Sequence, residues 1–232
     1  TSQPSIGAYA DVFGRLVGTG MKVICPTLTG KHSGTLNAAR LAAEPFGQDV
    51  QVFDSHSLSL GLGLQALVAA RAVQDGLSVD GILDLLQSTR DRMRVLILLD
   101  TLESLRLGGR ADTFIAVADR MTRALNIKVL INVVDGQLSL LGAARSFKSG
   151  LGRMRDLVEQ MGPLEHLAVA HTRNQEVAEE MADVLAQRTG FSRERVWIRE
   201  TGALLATHGG PGLVAVLALP GLPDGEGASN RS

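Results

Sequence analysis

The chain alternates between segments in which apolar residues recur every three to four positions and short runs of aliphatic and β-branched residues. The first pattern is typical of helices that bury one face, and the second of strands. We predict helices at residues 6–18, 34–45, 58–75, 78–90, 113–124, 145–160 and 174–189. We predict strands at residues 22–26, 50–54, 94–99, 127–134, 137–143, 166–171, 195–200 and 213–219. This alternation indicates an α/β protein with mostly parallel strands.

The dipeptide Asp135-Gly136 separates two apolar runs and predicts a tight hairpin, so at least one strand pair is antiparallel. Two predicted strands precede residue 93 and six follow it. We therefore expect two domains. Residues 1–92 would be the remainder of a three-layer α/β/α domain with a parallel sheet, its N-terminal part missing, and residues 93–219 a second α/β domain with a six-stranded mixed sheet. Residues 220–232 are rich in glycine and proline and are expected to form a flexible tail.

Composition narrows the class of ligand. The 23 basic and 24 acidic residues leave a net charge of -1, which argues against a nucleic-acid or anionic membrane surface. Aromatic residues make up 3% of the chain, whereas hydrophobic residues make up 45%. A binding pocket would therefore be lined by aliphatic side chains, which suits an alkyl chain better than a stacked nucleobase.

The single cysteine, Cys25, lies inside an apolar run and excludes a disulfide framework or a cysteine-based metal cluster. No metal site is expected from His56, His166 and His171, because none has ligand spacing to carboxylates. No apolar run reaches the length of a membrane span, and we expect a cytoplasmic protein. The chain starts at Thr1 without an initiator methionine, and we expect truncation or processing there.

Ser33 lies in the segment "HSGT", between the strand at 22–26 and a predicted helix. A serine at this place caps the helix in many proteins. The same place also presents a hydroxyl and unpaired amide groups to an anion. Both interpretations stay open at this point. We expect the neighbouring His32 to face solvent.

Two further glycine-rich segments are candidate sites. His208 lies in "THGGPG", either in a tight turn or in a loop whose backbone approaches a ligand closely. Arg110 follows two glycines in "LGGR" and is either a surface charge or a clamp for a carboxylate or phosphate. His171 is a weaker candidate, at the end of a predicted strand.

The segment "FDSHSLSLGLG" follows a strand and opens a helix, but it lacks the third glycine of a dinucleotide-binding turn. We expect Asp54 and Ser55 to cap that helix and to hold the loop at the end of the strand. The glycines of "GLG" are expected to allow close packing.

Seven segments occur in one order along the chain: "TSQPS", "HSGTLNAA", "VFDSHSLSLGLG", "DTLESLRLGGR", "LNIKVL", "VVDGQLSLLGAARSFKSG" and "THGGPG". Together they resemble the DegV family. The resemblance implies a bacterial lipid-binding protein that carries one long-chain fatty acid, such as palmitate, between two α/β domains. It also implies that the protein presents the carboxylate to an ATP-dependent fatty acid kinase subunit, which makes acyl phosphate for phospholipid synthesis.

The resemblance further implies the residues around the head group. Thr1 and Ser33 match hydroxyls that contact the carboxylate, His208 matches a histidine beside it, and Arg110 matches an arginine near the pocket mouth and the kinase-facing surface. On this basis the protein has no catalytic residues and no cofactor, its ligand is the fatty acid, and it is expected to be a monomer. Family members also begin with strands that are not found here.

Two other functions remain as alternatives. A serine hydrolase would use Ser33 and His208 as nucleophile and base. A substrate-binding domain like that of dihydroxyacetone kinase would share the fold, although a histidine for covalent binding of a short ketone is not evident.

Overall fold

The computed structural model describes residues 2–101, 104 and 127–222. Thr1, Arg110, the predicted helix at 113–124 and residues 223–232 of the predicted tail lie outside this part of the chain. Contacts divide the chain into two units. The first comprises residues 1–91 and 133–139, and the second comprises residues 92–132 and 140–232.

The first unit alternates helices with two strands. Its elements are α1 (Ile6–Val17), β1 (Val23–Thr27), α2 (Thr35–Ala43), a 3₁₀ turn (Glu44–Asp49), β2 (Val50–Asp54), α3 (Leu60–Gln74) and α4 (Val79–Arg92). The predicted bounds of these elements differ from the observed ones by at most two residues, and those of β2 agree. Strands β1 and β2 run parallel and pair from Val23 with Val50 to Thr27 with Asp54.

Helices cover both faces of this small sheet. On one face Phe13 of α1 and Ala42 of α2 form a cluster with Val50, and Cys25 is half-buried against it. On the other face Phe53 packs with residues of α3 and α4, and Ile24 contacts that cluster. Successive residues of a strand point to opposite faces, so Ile24 and Cys25 belong to different layers. The predicted three-layer α/β/α arrangement is confirmed.

The second unit contains the remaining described elements. They are β3 (Arg94–Leu99), β4 (Lys128–Val134), β5 (Gln137–Ala144), α5 (Phe147–Glu159), β6 (Leu164–His171), α6 (Gln175–Thr189), a 3₁₀ turn (Arg193–Arg195), β7 (Trp197–Glu200), α7 (Ala203–Gly209) and β8 (Val214–Pro220). The sequence pattern does not predict helix α7, because its seven residues lie between glycines and span too few turns to show a helical period.

The second sheet has the order β5-β4-β3-β8-β6-β7. Strand β8 is antiparallel to both of its neighbours, whereas β6 and β7 are parallel, so the predicted six-stranded mixed sheet is confirmed. Strand β3 is also antiparallel to β4, so the expectation of mostly parallel strands is wrong for this sheet. Leu98, Val169 and Val216 of this sheet are buried against Met154 of α5 and Met181 of α6. None of the helices in the described part of the chain is both long and apolar enough to cross a lipid bilayer.

Strands β4 and β5 are joined by Asp135 and Gly136, whose φ angles are 47° and 78°. Positive φ at both central residues defines the type I′ turn that matches the twist of a two-residue hairpin. This confirms the predicted hairpin. Its tip, residues 133–139, groups with the first unit, although most of both strands belongs to the second.

Candidate functional site

The loop that carries Ser33 begins at the end of β1 and leads into α2, whose first residue is Thr35. The loop after β2 starts at the same edge of the sheet, because the two strands are parallel. In α/β proteins ligands bind at this edge, beyond the carboxyl ends of the strands. The two loops and the hairpin tip form the polar edge of the first unit.

Among the described residues, the hydroxyl of Ser33 makes two hydrogen-bond contacts, both with Thr35. Ser33 Oγ accepts a hydrogen bond from the Thr35 amide at 3.2 Å, and it lies 2.8 Å from Thr35 Oγ1. Ser33 is half-buried and Thr35 is 7% exposed. Ser33 thus satisfies the amide of the first residue of α2, but the N-cap residue of this helix is Gly34, which makes no side-chain cap bond, so Ser33 is not the N-cap. Its Oγ retains capacity for another partner.

Thr29 anchors the loop to two other segments of the first unit. Its side chain is fully buried, its amide donates to the Ser57 carbonyl at 2.8 Å, and its hydroxyl donates to the Gly136 carbonyl at 2.9 Å. The Lys31 amide in turn donates to the Thr29 hydroxyl. The backbone leading to Ser33 is thus fixed from both the 54–59 loop and the hairpin tip.

Asp54 ties the same two loops together. Its carboxylate accepts hydrogen bonds from the Gly30 amide at 3.3 Å and the His56 amide at 3.0 Å, and the His56 imidazole lies 3.8 Å away. Arg90 donates to the Asp54 carbonyl at 3.0 Å. The expectation that Asp54 holds the loop is confirmed. The expectation that Asp54 and Ser55 cap the next helix is wrong, because α3 begins at Leu60 with Ser59 at its N-cap position.

His32 was expected to face solvent, and this expectation is wrong. The side chain is half-buried, and its Nε2 accepts a hydrogen bond from the Leu138 amide at 3.1 Å. Leu138 belongs to β5, which is an edge strand, so the imidazole pairs an amide that faces away from the sheet. The sequence contains no signal for this pairing, because 106 positions separate the two residues.

A buried polar cluster beneath the 54–59 loop was not anticipated. Ser55, Ser57 and Gln65 are each at most 1% exposed. Gln65 Nε2 donates to the carbonyls of Ser55 and Gly61, while Ser55 Oγ donates to the Ser57 carbonyl. The expected close packing at "GLG" is absent at Gly63, where an added methyl would meet open space. The glutamine in "GLGLQ", a polar residue on an apolar helix face, was the available signal for this cluster.

In the second unit His208 lies near the end of α7 and is half-buried. Backbone conformation and space explain the glycines that follow His208. Gly210 and Gly212 have φ angles of 76° and 79°, and a Cβ on Gly210 would lie 2.6 Å from Ser104 Oγ. The backbone conformation therefore requires both glycines, and the space beside Ser104 also requires Gly210.

His171 ends β6 and is 5% exposed. Its Nδ1 accepts the Asn174 amide at 3.2 Å, directly before α6. Through this bond the imidazole satisfies a backbone donor at the start of the helix, a role that side-chain oxygens fill in most caps. His171 therefore has a structural role.

Two of the four predicted head-group residues, Thr1 and Arg110, lie outside the described residues. Ser33 lies in the first unit and His208 in the second. The segment after Thr1 does approach the Ser33 loop, since a Cβ on Gly34 would lie 2.8 Å from the side-chain nitrogen of Gln3. Across residues 2–101, 104 and 127–222, no three histidine, cysteine or acidic side chains come together to hold a metal ion.

Comparison with known proteins identifies the family. A family profile described as an uncharacterised protein of the DegV family matches residues 1–221. A DegV domain-containing protein of Deinococcus radiodurans is 34% identical over 95% of this chain and 78% of its own length. A Thermus thermophilus DegV family protein, described by its fatty acid binding, is 29% identical with a TM-score of 0.82, over 94% of this chain and 78% of its own. A stearic acid-binding protein of Eubacterium ventriosum is 25% identical with a TM-score of 0.77, at the same coverage. The chain therefore belongs to the DegV family.

Proposed function

We propose that this protein binds one long-chain fatty acid and holds its carboxylate at the Ser33 hydroxyl. The observation that carries the proposal is the Ser33 loop at the carboxyl edge of the first sheet, in a chain 29% identical to a DegV protein described as fatty acid-binding. The carboxylate is an acceptor, and Ser33 supplies a donor at the positive end of α2.

The alkyl chain supplies most of the affinity. Each CH₂ group removed from water contributes about 0.8 kcal/mol, so a chain of palmitate length outweighs the hydrogen bonds of its head group. The aliphatic composition of the protein suits such a ligand. Thr1, His208 and Arg110 complete the proposed head-group site through their match to the family motifs.

The proposal extends to a partner. The protein presents the bound carboxylate to an ATP-dependent fatty acid kinase subunit, which transfers the γ-phosphoryl group to a carboxylate oxygen and releases ADP and acyl phosphate. The acyl phosphate then enters phospholipid synthesis in the bacterial cytoplasm. In this scheme the protein is a monomeric, non-catalytic carrier without a cofactor.

One feature of Ser33 favours binding over ester hydrolysis. A nucleophilic serine needs a base within hydrogen-bond reach. In the described part of the first unit, both hydrogen-bond contacts of Ser33 Oγ are with Thr35, His32 accepts from Leu138, and His56 lies at Asp54. Neither of these contacts therefore supplies the base that would activate Ser33 as a nucleophile.

Native mass spectrometry of the freshly purified protein, followed by organic extraction and mass analysis of the released compound, tests the binding step. We expect a bound mass equal to one long-chain fatty acid. Ser33→Ala should lose or exchange this ligand faster. Ser146→Ala is the control. Ser146 Oγ also accepts a backbone amide at the start of a helix, that of Ser149, so this substitution removes a serine–amide bond away from the Ser33 loop.

A protein that stays ligand-free after incubation with palmitate and oleate would overturn the binding proposal. The kinase step is tested separately, by adding a bacterial fatty acid kinase subunit and ATP to the palmitate-loaded protein and trapping acyl phosphate with hydroxylamine. Absence of acyl hydroxamate from a loaded carrier would overturn the presentation step alone.

A further inference from the structure

The hydrogen-bonding capacity of Ser33 Oγ is limited to one proton and two lone pairs. The Thr35 amide occupies one lone pair at 3.2 Å. The Thr35 hydroxyl, 2.8 Å away, either donates to the second lone pair or accepts the Ser33 proton. In the first arrangement Ser33 keeps its proton for a hydrogen bond to a ligand. In the second it does not.

A bound carboxylate selects between them. An ionised carboxylate accepts hydrogen bonds and donates none. If Ser33 gives its proton to Thr35, no donor remains for the ligand. If Thr35 gives its proton to Ser33, both lone pairs of Ser33 are filled and the Ser33 proton is free for the carboxylate. Every hydrogen-bonding position of the serine is then used.

We propose that Thr35 is a positioning residue, whose hydroxyl donates to Ser33 Oγ and so directs the Ser33 proton to the carboxylate of the ligand. This inference rests on the proposed fatty acid function. Thr35 suits the role because it is the first residue of α2 and is 7% exposed, so its side chain is held by the helix and its surroundings. A chain of hydroxyl donors also polarises each member, which strengthens the final bond to an anion.

Binding measurements on four variants test the relay: Thr35→Val, Thr35→Ser, Ser33→Ala and the double variant Ser33→Ala/Thr35→Val. The probe is cis-parinaric acid, a fluorescent fatty acid, displaced by palmitate. Valine keeps the shape of threonine and the backbone amide that bonds Ser33, so it removes only the hydroxyl. We expect Thr35→Val to weaken palmitate binding about three- to tenfold. Thr35→Ser, which keeps the hydroxyl, should restore binding.

The double variant separates the relay from a direct contact between Thr35 and the ligand. If Thr35 acts through Ser33, the valine substitution adds no further loss once Ser33 is alanine. A further loss in that background would show that Thr35 touches the ligand itself and would overturn the relay. Displacement by 1-hexadecanol separates the relay from a general structural defect, since an alcohol head group both donates and accepts hydrogen bonds. Equal weakening of palmitate and hexadecanol binding by Thr35→Val would indicate a general structural defect and would also overturn it.

The two proposals fail in distinguishable ways. A wild-type protein that binds neither cis-parinaric acid nor palmitate overturns the fatty acid function and the relay together. A wild-type protein that binds palmitate, is weakened by Ser33→Ala and is unaffected by Thr35→Val overturns the relay alone. Thermal unfolding of each variant identifies any that do not fold. If Thr35→Val does not fold, the test of Thr35 rests on Thr35→Ser, which keeps the hydroxyl and should bind palmitate as the wild type does.

Discussion

The Thr29 hydroxyl donates a hydrogen bond to the carbonyl oxygen of Gly136, 107 positions later in the chain, at 2.9 Å. This bond joins the loop leading to Ser33 to the turn of the β4–β5 hairpin. Gly136 has a φ of 78°, and a Cβ at that position would overlap the Thr29 hydroxyl. The close approach thus depends on glycine for two separate reasons, conformation and space.

We expect Gly136→Ala to lower the free energy of unfolding by about 2–3 kcal/mol, from the strained φ and the overlap with Thr29. Gly76→Ala is the matched control. Gly76 has the same φ of 78°, but an added methyl there has no neighbour within 4 Å. Urea unfolding should show a loss of about 1 kcal/mol for the control. Equal losses for the two variants would mean that the contact with Thr29 contributes nothing.

His32→Ala should expose the Leu138 amide to exchange with solvent, because it removes the acceptor at 3.1 Å. The lost hydrogen bond lowers the free energy of unfolding by about 1 kcal/mol. His32→Gln is the control that keeps an acceptor near the position of Nε2. Hydrogen exchange followed by NMR gives the rate at Leu138. Unchanged protection of this amide in the alanine variant would contradict the observed pairing.

Helix α5 contains two glycines that should respond in opposite directions to alanine. An added methyl on Gly150 would lie 2.5 Å from Leu98 Cδ1, and Leu98 is fully buried, so Gly150→Ala should cost about 1–3 kcal/mol. Gly152 has no neighbour within 4 Å, and there alanine should stabilise the helix by about 0.5–1 kcal/mol. Thermal unfolding of both variants checks the signs. A stabilising Gly150→Ala would contradict the packing of α5 on β3.

Burial raises the pKa of the Cys25 thiol above its ordinary value, and burial followed by the nearby Cys25 charge raises the pKa of Tyr9. Folding thus favours the protonated forms. The stability they contribute is complete below the pKa values of the unfolded chain and is lost as the pH rises toward the folded ones. We expect the free energy of unfolding to fall above about pH 8.5. Cys25→Ala should show a smaller fall, and an equally steep one would exclude the thiol as its cause.

The raised pKa of Cys25 also predicts that its thiol reacts slowly. The thiolate is the reactive form, so a half-buried thiol with a raised pKa should react with an aromatic disulfide reagent more slowly than free cysteine at pH 8. The rate for unfolded protein in urea is the internal control. Equal rates in the folded and unfolded protein would contradict the burial of Cys25.

Prediction from sequence succeeded where a local pattern has one structural outcome. The run Arg94–Leu99 and the turn Asp135-Gly136 fell where expected, because a continuous apolar run and a pair of residues that tolerate positive φ carry their own signal. Helix α7 was missed, since seven residues flanked by glycines show too few turns to establish a period. The partners of His32 and Asp54 were also missed or misassigned, because each depends on which distant loop lies beside it.

Within the described residues, the sequence by itself determined the succession of helices and strands except α7, the hairpin and, through its ordered motifs, the family. Only the tertiary structure decided that β8, the last strand, lies between β3 and β6, and that Thr29 and His32 bond to the hairpin tip. The physical reason is that side-chain patterns specify which face of an element is buried. Strand order and loop contacts depend on backbone hydrogen bonds that any residue except proline provides in full, so their partners are selected by the packing of the whole unit.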